Sequence, residues 1–323
     1  VKHPRKDPRL VFDTSMSAKG TSLNQAMFTG PDLLNNLVGV FVRFRQHAVP
    51  VSADLKSFYL SVRIPESDWD FFRFFFYSDP TDMNSSIVEY RFRVHIFGGN
   101  ASQACCVHAL FTAIDWAVKD DIITESEAKR LKAAFYADDF LDSFPGTDEA
   151  QDLMKRLILL LEKYGFKLVK FTSTNIDFLS EIPKDLRHPD VAELVLNDKT
   201  SSVLGIKWHL STDEFSIDMS FNDIPDIFTK RNLLSLLMTV YDPIGAVGFA
   251  LVTGKLILQA AFRSGHDWDD PLPDAMQRAI NKWIDDLHCI NGFTFPRMIQ
   301  PPNSNDIIRR ELHLLADAST TVF

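Results

Sequence analysis

The chain has 323 residues, 46% of them hydrophobic, which allows about two or three compact domains with sizeable cores and argues against a disordered chain. A net charge of −9 argues against a protein that grips nucleic acid with its whole surface, although local basic patches survive that average. Cys105, Cys106 and Cys289 are odd in number and two are adjacent, so they fit a reducing compartment better than a disulfide framework, and none has zinc-site spacing.

The start carries Lys2, His3, Arg5, Lys6 and Arg9, and a second basic group follows at Arg43, Arg45 and His47. Each is either a solvated face or a phosphate contact. Val49, Val51, Ala53 and Leu55 alternate with Ser52, Asp54 and Lys56, predicting a half-buried strand with Asp54 on its polar face. Residues 101–119 read as a buried helix carrying Ala104, Val107, Ala109, Leu110, Ile114 and Trp116, and 125–134 as a polar helix. That helix runs into Phe135-Tyr136-Ala137-Asp138-Asp139-Phe140-Leu141, a tight turn between two short apolar strands. Beyond Pro145-Gly146, Thr147 or Asp148 caps a helix whose apolar face is Leu153, Leu157, Leu160, Leu161 and Tyr164, with Gly165 as its stop.

Phe166–Phe171 then reads as a strand, and 184–200 as a polar loop. Val203–Leu210 reads as the next strand, with Glu214–Ile217 pairing back onto it. Helices are predicted over 230–263, interrupted at Asp242-Pro243-Ile244-Gly245, and over 274–288. Pro296, Pro301, Pro302 and Asn303 mark a linker before a strand from Glu311 to Ala316 that ends at Asp317. No apolar run approaches the ~18 residues of a membrane span, and no signal peptide is read. The chain begins at Val1 and stops at Phe323 inside an apparent strand, as expected of an excised piece of something longer.

The central order is strand, helix, strand, strand, helix, strand, the split βαβ or ferredoxin-like arrangement of an α+β fold. Its right-handed crossover makes the first two strands parallel, with the third antiparallel between them. The Asp138-Asp139 turn then lies near Asp54, although 84 residues separate Asp54 from Asp138. Adjacent carboxylates repel each other, and a divalent cation relieves that repulsion. Taken alone, the pair is equally an Asp-rich hairpin turn, but convergence with Asp54 favours metal binding. Three such acids suit phosphoryl or nucleotidyl transfer in a nuclease, a polymerase or a cyclase.

The surrounding residues narrow this choice. Ala53-Asp54-Leu55-Lys56-Ser57-Phe58-Tyr59-Leu60-Ser61-Val62 resembles the first catalytic motif of reverse transcriptases, and Tyr136-Ala137-Asp138-Asp139 their Y-x-D-D box. Phe97-Gly98-Gly99-Asn100-Ala101-Ser102 resembles the F-G-x-x-x-S motif between them, and Leu204-Gly205-Ile206-Lys207-Trp208 the hairpin that grips the primer end. Arg9-Leu10-Val11-Phe12-Asp13, Ser22-Leu23-Asn24, Thr29–Leu34, Tyr241–Gly245 and Trp268–Pro273 resemble the BEL/Pao group of long-terminal-repeat retrotransposons. Glu311–Ser319 is similar to the first strand of the ribonuclease H domain that follows the polymerase there.

The resemblance implies a right-hand polymerase. Fingers would take residues 1–50, with the start cut short, and a ferredoxin-like palm with intervening fingers residues 49–215. A mostly helical thumb and connection would take 216–300, and a truncated ribonuclease H start 309–323. It implies that Asp54, Asp138, Asp139 and the Leu55 carbonyl hold two Mg²⁺ ions, or Mn²⁺ in their place. Arg9 would contact the incoming triphosphate, Phe97 and Gly98 the nucleotide or template, and Lys170 the leaving pyrophosphate. Tyr59, five residues after Asp54, would lie beneath the sugar and exclude a 2′-OH; Leu204, Gly205 and Trp208 would hold the primer. Plain alternatives stand beside these: Tyr59 or Trp208 as core aromatics, Gly98 and Gly99 as a turn, Lys170 as a strand-edge lysine.

The implied partners are an RNA or DNA template with its primer, dNTPs, and the ribonuclease H, protease and integrase of the same polyprotein, with no membrane. The implied setting is a cytoplasmic virus-like particle. Gln103 departs from the family pattern, which has Pro in many members, and Asp317 lacks the later ribonuclease H carboxylates, so no such activity is expected. Two rivals remain: a catalytically silent remnant that binds nucleic acid or a partner, and an RNA-dependent RNA polymerase. Tyr59 argues against the second.

Overall fold

The structure, a computed structural model, describes residues 12–221 and 223–299. In chain order, helices α1 (Leu23–Ala26) and α2 (Leu37–Phe44) precede strand β1 (Val49–Leu55). Strands β2 (Arg73–Tyr77) and β3 (Ile87–Arg91) lead to helices α3 (Ser102–Lys119) and α4 (Glu125–Ala134). Next come β4 (Phe135–Tyr136), β5 (Asp139–Phe144), α5 (Thr147–Lys163) and β6 (Leu168–Thr172). Helix α6 (Ile176–Glu181) precedes β7 (Thr200–Val203), β8 (Ile206–His209) and β9 (Glu214–Ser216). Helices α7 (Lys230–Thr239), α8 (Gly248–Arg263) and α9 (Asp274–Ile290) and strand β10 (Thr294–Pro296) close the described chain. Arg9, the basic cluster at the start, the Pro301–Asn303 linker residues and the strand to Asp317 lie outside the described residues.

The chain divides into two compact units, one made of residues up to Asn36, Ala53–Leu141 and Asp148–Phe171. It contributes to a sheet of order β4-β5-β1-β6, with the third strand of the split motif between the second and the first. β4 and β5 pair antiparallel, Tyr136 opposite Asp139. The end of β1 meets the start of its neighbours: Leu55 N–H donates to the Asp138 carbonyl (2.8 Å) and Lys56 N–H to that of Lys167 (2.9 Å). Alternation along β1 buries Val51, Ala53 and Leu55 while leaving Asp54 half-buried, as its period of two requires.

Helix α5 buries Leu153, Leu157, Leu160 and Leu161, spaced as an amphipathic face should be. Helix α3 buries Leu110 and Ile114, but Trp116 is 49% exposed and tilts against the Tyr164 ring at 5.7 Å. The expectation that Trp116 belongs to the buried face is therefore corrected. α4 begins with a Thr124–Glu127 capping box, and Glu127 also pairs with Arg156 at 2.5 Å. A smaller core of Ile64, Phe72 and Ile96, with Phe12 and Phe92 against it, supports the β2-β3 hairpin.

The second unit comprises Leu37–Ser52, Asp142–Thr147 and the chain from Thr172 onward. It holds an antiparallel sheet of order β10-β9-β8-β7. The expected single strand Val203–Leu210 is instead a hairpin, turning at Leu204 (φ +44°) and Gly205 (φ +85°) with Val203 opposite Ile206. Two left-handed residues in succession make the tight turn that matches strand twist, and glycine adopts the second without strain.

The Arg45 side chain is engaged within the protein. The Arg45 guanidinium donates to the carbonyls of Arg297 (2.8 Å) and Pro296 (3.1 Å), and the His47 carbonyl accepts from Arg297 (2.9 Å). Arg43 is partly buried, its guanidinium pKa lowered by that burial and held back up by Asp142. α8 and α9 pack closely at Gly254, where a side-chain carbon would strike the Trp283 ring (2.5 Å). All three cysteines are free, and burial pushes the Cys106 thiol up to about 12.

Candidate active site

The first unit collects its acids at one edge of the sheet, where β1 ends and the β4-β5 turn begins. The Leu55–Asp138 backbone bond places Asp54 beside that turn. Ala137 takes φ +55° there, a conformation that costs a residue with a Cβ, and the two-residue turn carries Asp138 out of the ladder while Asp139 starts β5. The Asp139 carboxyl is raised to about 7, first by burial, then by Asp138, then by Asp54, with Lys170 opposing them. Three carboxylates thus lie within electrostatic reach of one another.

Lys170 lies on β6, the edge strand beyond β1, at φ +58°. Its ammonium donates to Asp54 Oδ2 at 2.6 Å. The side chain is 49% exposed and its partner 24%, so the pair is a partly solvated contact of modest strength.

A cavity of about 900 Å³ opens beside these groups, lined among others by Phe12, Asp54, Lys56, Phe97, Asp138 and Lys170. Tyr59 stands behind Phe97, the two rings edge to face at 4.6 Å. Its phenol pKa is raised by burial, then by Asp138 and Cys106, so it keeps its proton and donates it to Gln103 Oε1 (2.5 Å).

Gly98, at φ +93°, faces protein rather than open space: a Cβ there would come within 2.7 Å of the Phe12 carbonyl. Its own carbonyl accepts from the Thr14 hydroxyl and from Asn24 Nδ2 (3.0 Å). Asn24 in turn takes both the backbone and side-chain amides of Asn100, at 2.9 and 3.0 Å. This glycine permits a close approach of the Phe12–Asn24 segment.

Asp54, Leu55, Asp138, Asp139, Tyr59, Phe97, Gly98 and Lys170 all belong to the first unit. Leu204, Gly205 and Trp208 belong to the second, at and beside the hairpin turn. Trp208 is wholly buried, packed at 5.3 Å against Phe44 and donating its indole N–H to Asp213 (3.0 Å). It has no ring face to offer a primer, and the reading as a primer contact is corrected to a core residue. Sequence reasoning passed over Phe12 and Lys56 as cavity walls and Gln103 as the partner of Tyr59. Lys56 stood inside the first motif and was open to notice; Gln103 lies 44 residues from its partner.

The donor set suits a hard divalent cation, since mutual repulsion among the acids is what such an ion relieves. As the side chains are placed, no three His, Cys, Asp or Glu groups among the described residues gather round one point, and Asp54 faces Lys170 instead.

Residues 229–323 match the family described as Pao retrotransposon-like RNaseH-like domain. The match takes in α7, α8 and α9 and runs on to Phe323. Among solved structures, the chain is similar to a foamy viral protease-reverse transcriptase (dRH) in complex with double-stranded DNA. That likeness has a TM-score of 0.55 and 13% identity, and covers 88% of this chain. At that identity it is a likeness of fold: the chain has a mixed α+β fold matching that of a retroviral reverse transcriptase. The chain spans 43% of the other's length. No curated protein matches the chain. Among the described residues, no helix is long and apolar enough to cross a membrane.

Proposed function

We propose that the chain is the polymerase part of a BEL/Pao-type reverse transcriptase, an RNA-directed DNA polymerase acting on a primed template with dNTPs. The observation that carries this reading is the backbone bond from the end of β1 to the Asp138 carbonyl, which brings Asp54 to the Asp138-Asp139 turn. The sheet order and the fold likeness support it. On this reading residues 49–215 are palm with intervening fingers, residues 1–50 fingers, and 216–300 thumb and connection. Residues 309–323, the end of the segment 229–323 that matches the RNaseH-like family, carry the start of the ribonuclease H fold proper on this reading, and the setting is a cytoplasmic virus-like particle. The template and primer, and the protease, ribonuclease H and integrase of the same polyprotein, are its partners.

Asp54, Asp138, Asp139 and the Leu55 carbonyl would hold two Mg²⁺ ions. Bound there, these would activate the primer hydroxyl and offset charge on the leaving phosphate. The chain's own groups do the rest by position. Lys170, already at the mouth of the cavity, can leave Asp54 and neutralise phosphate charge. Lys56 lends a second cation to the same wall. Phe97, 45% exposed, gives the cavity an aromatic side on which a sugar or base can rest.

One observation favours a silent nucleic-acid-binding remnant instead: the Lys170 ammonium on Asp54 supplies the countercharge an ion would otherwise bring. Primer extension on an RNA template with Mg²⁺ and dNTPs separates the two. The chain should extend the primer, and Asp138→Asn should lower the rate by about a thousandfold or more, as loss of a group made for the transition state does. Primer–template binding without extension would favour the remnant, and extension undiminished in Asp138→Asn would remove the acid site.

A further inference from the structure

Gln103 enters the first turn of α3 at a position where the family resemblance leads one to expect proline, and its side chain is put to a definite use. The carboxamide oxygen accepts the Tyr59 hydroxyl at 2.5 Å, across 44 residues of sequence. The other end of the same carboxamide, Nε2, is buried with no hydrogen-bond partner among the described residues. Leaving a buried amide N–H unpaired is costly, and a carboxamide free to choose would turn toward a partner for it. The bond ties the Gln103 carboxamide and the Tyr59 phenol to each other.

The Tyr59 ring also meets the Phe97 ring edge to face at 4.6 Å and the Phe58 ring at a tilt at 5.5 Å. Such contacts set how far a ring can move but leave it free to slide. The hydrogen bond pins the tip. We infer that Gln103 is a positioning residue for sugar discrimination, clamping the Tyr59 ring that backs Phe97 so that this wall of the cavity cannot yield to a 2′-hydroxyl. This inference rests on the polymerase reading. The bulk at the sugar comes from Tyr59 and Phe97; the stiffness comes from Gln103, 49 residues beyond Asp54 (103 − 54).

The test is single-nucleotide insertion of dATP against ATP by the full chain, comparing Gln103→Met, Tyr59→Phe, the double variant and Gln103→Glu. Methionine keeps the length and loses the acceptor; glutamate keeps the acceptor. Each of the first two should raise the ATP-to-dATP ratio of kcat/KM by about five- to tenfold, the worth of one hydrogen bond. The double variant should do no more than either single one, because both remove the same bond. Gln103→Glu should restore most of the discrimination, which a purely structural role in α3 would not require.

A ratio unmoved in both single variants, or effects that multiply in the double, would overturn the inference. Should Gln103→Met lose its thermal transition, Tyr59→Phe removes the same bond from the other side and decides. Should the unaltered chain extend nothing, the polymerase reading fails by itself, and equilibrium binding of dATP against ATP takes over. A preference for dATP that Gln103→Met abolishes would keep the clamp; no preference in the unaltered chain would end it.

Discussion

Asp139 keeps its proton well above the ordinary carboxylate range because it is buried beside two other acids. Below about pH 4 it is protonated in the folded and the unfolded chain alike, and contributes nothing to their difference. Between about 4 and about 7 the folded chain holds a proton that the unfolded chain has released. Stability therefore falls as pH rises through that window. In EDTA, the melting temperature of the unaltered chain should drop across this range, while Asp139→Asn should lack that component. Parallel curves for the two proteins would mean that the ionisation of Asp139 is not opposed by its surroundings. Asp54 and the Asp138-Asp139 pair were legible in the sequence because adjacent acids between apolar residues are unusual. The Asp54–Lys170 contact was not, since nothing in sequence tells an edge-strand lysine which neighbour it will reach.

At the scale of the element, the β7-β8 hairpin depends on one glycine. Gly205 sits at φ +85°, and a Cβ would come within 2.5 Å of the Tyr241 ring. Gly205→Ala adds backbone strain to that collision and should cost about 2 kcal/mol or more, read as a lower denaturation midpoint with unchanged m-value. A loss under about 0.5 kcal/mol would mean that Tyr241 simply moves aside.

Arg297 is a second such dependency. It is wholly buried, donates to the carbonyls of Phe44 (2.6 Å) and His47 (2.9 Å), and grips both oxygens of Asp213 at 2.8 Å. Arg297→Ala leaves two carbonyls without their donor and Asp213 with only the Trp208 indole among these partners, and should cost about 2–4 kcal/mol; removing Asp213 as well should recover part of it. Without that recovery, the loss would be one of packing rather than stranded charge.

The turn at Leu204-Gly205 escaped the periodicity because the apolar residues at 203, 206, 208 and 210 read as one strand, although the motif there resembles a hairpin. The Leu153–Leu161 face of α5 was plain because its period admits one partner surface. Trp116 and Trp208 show the limit: both sit in apolar runs, yet one lies on the surface and the other in a core. Which it is depends on tertiary neighbours that local pattern does not contain.

At the scale of the molecule, a net charge of −9 repels a polyanion at long range, so on the proposed function nucleic acid would be held by local cations. Fluorescence anisotropy with a primer–template should show affinity falling at least about tenfold between about 50 and about 200 mM salt, as a few phosphate contacts require. Affinity indifferent to salt would argue for contacts to bases alone. Arg45 and Arg297 are engaged inside the second unit, so substituting the exposed Lys56 should reduce the salt slope more than substituting Arg45.

The bonds that tie Thr14 and Asn24 to Gly98, and Asn24 to Asn100, have a mechanical meaning. Phe97 is the residue next to the tied carbonyl, and its ring is a wall of the cavity. The Thr14–Asn24 stretch, which runs into the first helix, is thereby tied through the Gly98 carbonyl to the residue beside that wall, so that a displacement of the one would be passed to the other.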